Sequence, residues 1–145
     1  MRADWHLRRA RCLHHDPNVP IRYSFDQERR RLVTHADGVL TFHEINAHLD
    51  VEQRKRDLEL PELFDASGAT TDLTADQVRR LVDRATGMLR VVELGATAIV
   101  TTNAALYGIA RMYSQLAGRA GIAADVFRDV DAASRWLDGF SAEPD

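Results

Sequence analysis

Hydrophobic and polar positions along the chain change their period several times, and each change marks an element. "IRYSFD", residues 21–26, alternates, with Ile21, Tyr23 and Phe25 on one side. A period of two is that of a half-buried strand. The polar "QERR" separates it from "RLVTHA", a second short run rich in β-branched residues, so the two predict a hairpin. In "GVLTFHEINAHLDVEQRKRDLE" the apolar residues Phe42, Ile45 and Leu49 fall at helical spacing. Thr41 and Glu44 have capping-box spacing, in which each side chain satisfies the other's free backbone N–H. A first helix is expected from Phe42 to Asp57.

"LPELFDASG" is short and apolar with Pro61 near its start, which predicts a strand entering the core and ending at Gly68. Thr74 and Gln77 repeat the capping-box spacing, and Val78, Leu81, Val82 and Ala85 follow at i, i+3, i+4 and i+7. The apolar series runs on through Met88, Leu89 and Val92 to Gly95 as a stop, although Gly87 weakens such a helix by about 1 kcal/mol relative to alanine. "ATAIVTTN" is a β-branched strand, and Asn103 caps a third helix whose core face is Leu106, Ile109, Ala110, Tyr113, Leu116 and Ala117. Gly121 terminates it. "IAADVF" is a last strand, and Asp129 or Asp131 caps a final helix carrying Ala133, Trp136 and Leu137. The order ββαβαβαβα predicts an α/β fold: a small mixed sheet, with a leading hairpin and then parallel crossovers, and about four packed helices.

Composition adds boundaries to this picture. A chain of 145 residues fits one domain with a core of its own. At 45% hydrophobic and 28% charged residues it is not a disordered chain. A net charge of -3 gives no general drive toward nucleic acid or anionic membranes, and no run approaches the roughly 18 apolar residues of a membrane span. Residues 1–20 are basic, lack the apolar core of a secretory signal and end in Pro17 and Pro20. They read as an extension before a single domain at 21–140, with a short tail at 141–145. The single Cys12 permits no intramolecular disulfide, in keeping with a cytoplasmic location.

Three stretches carry a family resemblance: "ELFDASG", "ALYGIARMYSQLAGRAG" and "ADVFRDVDAASRWL". Together with the element order they resemble the STAS-domain superfamily, the SpoIIAA-like fold of bacterial anti-sigma-factor antagonists, and most of all an uncharacterised bacterial branch of it. The resemblance runs from about Ile21 to Leu137. It implies an α/β sandwich but no settled activity; a non-enzymatic regulatory or protein-interaction module is expected because no catalytic constellation can be assembled from the residues. It also implies a test of the hydroxyls in "FDASGATTDLTADQVRR". The antagonists are phosphorylated on a serine at the start of the helix after this strand, within Asp-Ser-Ser-Gly. Ser67 in "DASG" lies too early, at the expected strand end, and Thr74 is the nearest hydroxyl to the helix start. Its cap role already accounts for it, and Asp72 and Asp76 would repel a phosphate there; a phosphorylatable antagonist-type switch at Thr74 is a further alternative reading.

Other chemistry is sparse. No phosphate loop, Ser-His-Asp signature or paired-carboxylate motif is present. His43 and His48, five apart, fall on different helix faces, so no metal site is expected from them and no cofactor is implied. Asp65 ends a core strand, a place where α/β proteins put ligand-contacting groups, or serves as a turn acceptor. Tyr107, Arg111 and Ser114 are spaced to line one exposed side of the third helix, next to Thr102 and Asn103. Gly108 either lets a partner approach closely or packs the helix on the sheet. These residues are the candidate face for another protein or a second copy of the chain. A carrier of an apolar small molecule or lipid, between helices and sheet, is the alternative reading.

Overall fold

The computed structural model describes residues 21–140. The extension 1–20, with Cys12, His14 and His15, and the tail 141–145 lie outside the described residues. The elements are β1 (Ile21–Asp26), β2 (Arg31–Leu40), α1 (Phe42–Arg54), β3 (Glu62–Thr71), α2 (Ala75–Met88), β4 (Thr97–Val100), α3 (Ala104–Arg119), β5 (Ala124–Phe127) and α4 (Val130–Asp138). The strands lie in the order β1-β2-β3-β4-β5, with β1 antiparallel to β2 and the other three pairings parallel. This is the mixed sheet and the ββαβαβαβα order that the periodicity predicts.

The helix starts are set by side chains that meet orphan backbone groups. Thr41 with Glu44 and Thr74 with Gln77 form complete capping boxes. Asn103 caps α3, and Asp129, not Asp131, caps α4. Helix ends are less legible. α1 stops at Arg54 rather than Asp57, because Arg56 turns left-handed at φ 61°. The Asp57 N–H then donates to the Glu52 carbonyl at 2.8 Å and that of Arg56 to Gln53 at 3.2 Å, a Schellman closure with arginine where glycine usually stands. α3 closes in the same way with Gly121 at φ +86°. α2 ends at Met88, well before Gly95. Gly95 serves a close approach instead. A Cβ there would lie 2.2 Å from the Leu60 carbonyl oxygen, so the glycine lets two connecting segments pass in contact.

Two strands are longer than their hydrophobic runs. β2 continues to Leu40 and β3 to Thr71, so Gly68 is inside β3 and does not end it. Along this pairing His35 meets Asp65 while Asp37 meets Gly68, so β3 carries one extra residue, a bulge at Ala66–Ser67. β3 pairs with β4 only as far as Asp65.

The two faces of the sheet are covered differently. On one, α4 packs through Ala133 and Leu137 on Leu63, Ala98 and Val100. Here the buried Arg31 guanidinium, at the start of β2, reaches Asp138 at 2.5 Å and Ser134 at 3.0 Å. On the other face lie α1, α2 and α3, with a cavity beneath them.

Candidate functional site

His48 and Glu52 are four residues apart on α1 and therefore share one helix face. Both are buried against the sheet. Glu62, the first residue of β3, projects to the same side, because its neighbour Leu63 fills the α4 face. His48 Nε2 lies 3.0 Å from Glu62 Oε2 and 3.3 Å from Glu52 Oε2. The Thr34 hydroxyl donates to Glu62 Oε2 at 2.5 Å. Among the described residues Glu52 Oε2 has no hydrogen-bond partner of acceptable geometry. Tyr23 and Phe64 meet the imidazole edge to face, with centroids 5.3 and 5.9 Å away, and fix its plane.

The three groups set one another's protonation. Burial by itself would lower the His48 pKa, but the two carboxylates outweigh it and hold the imidazole up to about 10. Burial, aided by the charge of Glu62, pushes Glu52 up to about 8, against the opposing pull of His48. Burial also works against an ionised Glu62, yet His48 and the Thr34 hydroxyl prevail and its carboxyl stays below the usual range. The cluster thus favours a charged imidazole paired with an ionised Glu62, while burial and the charge of Glu62 work against ionisation of Glu52. Tyr113 nearby is raised to about 12 by burial and then by the charges of Glu62 and Glu52.

A cavity of about 140 Å³ adjoins this cluster, lined by His48, Glu62 and Tyr113 together with apolar residues such as Phe64, Leu81 and Leu106. A smaller space of about 60 Å³ lies on the other side of Glu62 and Tyr113 and is lined by Glu52 and Asp57. The polar cluster is the partition between the two.

The residues singled out in the sequence are placed elsewhere. Asp65 accepts from the Ser67 N–H at 3.0 Å and from the Ser67 hydroxyl at 2.6 Å, and lies 3.6 Å from His35. It is therefore a paired residue within β3 that accepts from the bulge beside it, and it does not end the strand. Thr74 Oγ1 accepts the Gln77 N–H at 3.2 Å. Asn103 is occupied by its cap, and its own N–H donates to Thr101 Oγ1 at 3.1 Å, while Thr102 is exposed. Arg128 lies over the Tyr107 ring at 4.2 Å. Arg111 is exposed, but Ser114 is buried and donates back to the Ala110 carbonyl at 3.1 Å. Ser114 does not share an exposed side with Arg111, because at i+3 it has rotated toward the core beside Ala110 and Ala117. Gly108 is exposed, with nothing within 4 Å of a Cβ built on it, so it does not pack the helix on the sheet.

The cluster itself was within reach of the sequence only in part. His48 and Glu52 stand at i, i+4 on one helix face, a relation between a histidine and a glutamate that the histidine spacing His43–His48 does not show. Glu62 comes to them through the crossover to β3, which no local pattern encodes.

No protein-family model matches the chain, and no curated protein matches it. Among solved structures it is similar to an uncharacterised protein of the DUF3478 family, with a SpoIIAA-like fold, from Shewanella loihica PV-4. The identity is 18% and the TM-score 0.54, over 86% of this chain and 99% of that one. The fold is SpoIIAA-like. Among the described residues no helix is long and apolar enough to cross a membrane.

Proposed function

We propose that this chain is a non-enzymatic binding module that takes a compact, mostly apolar small molecule between its sheet and helices α1–α3. The observation that carries this reading is the apolar cavity whose polar lining is His48, Glu62, Thr97 and Tyr113, with Thr97 paired to Glu62 across the sheet. Apolar walls with a few convergent polar groups are the usual form of a ligand site. Size narrows the ligand class. At about 140 Å³ the space is close to that of an apolar cavity of about 150 Å³ that holds benzene. A ring or short chain fits it, and a full lipid acyl chain does not. The ligand's polar group would meet the His48–Glu62 pair.

The test is an NMR titration of the full chain with phenol and benzylamine. Saturable shifts confined to Phe64, Leu106, Tyr113 and their neighbours are expected, and Ile109→Trp, which fills the cavity, abolishes them. Absence of any saturable shift into the millimolar range would sink the reading.

A second reading, a regulatory protein-contact module, draws on Tyr107 stacked with the exposed Arg128. Tyrosine and arginine are the residue types that most often anchor interfaces. Native mass spectrometry separates the two readings. A retained small molecule favours the first, and a bound protein or a second copy favours contact.

A further inference from the structure

We infer that His48, Glu52 and Glu62 form a binding site for a first-row divalent cation of the zinc or manganese type. The inference is independent of the cavity reading, since it needs only the three donor groups. His48, Glu52 and Glu62 each offer one ligand atom, and these atoms lie within 4.8 Å of one another. The imidazole Nε2 stands 3.0 and 3.3 Å from the two carboxylate oxygens. Donors that share a metal at about 2.0–2.1 Å stand about 3 Å apart; the two imidazole–carboxylate separations already match, and the carboxylates lie within 4.8 Å of each other.

A second observation points the same way. Glu52 Oε2 is buried and faces the imidazole, whose Nε2 lies 3.3 Å away, but among the described residues no donor meets it in hydrogen-bond geometry. A buried carboxylate oxygen left without a donor is costly, and a cation at this point would satisfy it. Charge also closes: a dication, two carboxylates and a neutral imidazole sum to zero, as a buried site requires.

The surroundings are those of a built site. Thr34 donates to the same Glu62 Oε2 that faces His48 and so steadies that carboxylate, as outer-shell groups steady metal ligands. Tyr23 and Phe64 fix the imidazole plane. One nitrogen and carboxylate oxygens suit zinc or manganese better than the soft-metal sites built on thiolate. Three protein donors leave coordination positions open, and the cavities on either side give room for water or a ligand atom.

The experiment is calorimetric titration of the full chain, stripped with chelator, with zinc chloride and with manganese(II) chloride. Magnesium chloride serves as the comparison. Cys12, His14 and His15 could hold zinc by themselves, so the measurement uses C12S/H14A/H15A beside the unaltered chain. One equivalent bound by both proteins is expected, with affinity at least tenfold lower in E52Q and E62Q and unchanged in H43A. Because E62Q could disturb folding, X-ray absorption of the zinc-loaded triple variant gives a direct reading: one imidazole and oxygen donors. Loss of binding in the triple variant, affinity unaffected by E52Q, or a shell with two or more imidazoles would overturn the site.

Discussion

The Thr34 hydroxyl, on β2, donates to the same Glu62 oxygen that faces His48 on α1, so one carboxylate atom ties two strands and a helix together. Replacing Thr34 with valine keeps the shape and removes the donor. A hydrogen bond to a charged acceptor in a buried place contributes about 1.5–3 kcal/mol. Thr34→Val is expected to lower stability by about 2 kcal/mol in chemical denaturation, and Thr34→Ser to lose less than half of that.

The buried cluster also sets a pH dependence for the metal-free protein, measured with chelator present. His48 is raised in the folded state to about 10, so its contribution is complete below the unfolded value of 6.5 and is lost as pH rises through about 10. Glu52, raised to about 8, likewise loses its contribution as pH climbs from 4.5 through about 8. Glu62 is lowered, and its contribution is lost only as pH falls through its folded value. Melting temperature should therefore be higher at mildly acidic pH than in the alkaline range. Glu52→Gln should flatten the part of the decline below pH 8, and an unchanged slope in that variant would contradict the assignment.

Two glycines should respond in opposite directions to alanine. At Gly95 a Cβ would meet the Leu60 carbonyl at 2.2 Å and the Glu59 carbonyl at 2.8 Å, both backbone atoms with little freedom to give. Gly95→Ala is expected to cost about 2–3 kcal/mol. Gly108 sits inside α3 facing open space, so Gly108→Ala should stabilise by up to about 1 kcal/mol. Thermal melts of the two variants measure both.

Arg56 holds the left-handed position that closes α1. For a residue with a Cβ that conformation costs about 1 kcal/mol or more. Arg56→Gly is expected to raise stability by up to about 1 kcal/mol, read as a shift in the denaturation midpoint.

Element order and helix starts were legible in the sequence because they depend on neighbours: Thr41 with Glu44, Thr74 with Gln77, Asn103 with Leu106. The ends of α1 and of β2 and β3 were not. Arg56 stands where glycine would have signalled a stop, and Asp37, Gly38, Ser67 and Gly68 have the composition of turns while lying in paired strands. The candidate surface on α3 failed at Ser114, where spacing alone did not tell which side of the helix faces the core. The buried cluster was half visible, as His48 and Glu52 on one helix face. Its third member depends on how β3 is laid beside β2, and that is decided by the packing of the whole sheet.

The Arg31–Asp138 pair has a consequence for the order in which the chain folds. The two residues are 107 positions apart, and Arg31 is buried where β2 begins. Until residue 138 has been synthesised, the guanidinium has no carboxylate to meet, and burying it alone is unfavourable. The hairpin and the three crossovers can assemble early, but the start of β2 seats only when α4 docks. Helix α4 is then a latch that closes only once it has been made, and a ribosome-tethered chain stopped before α4 should remain open at that edge.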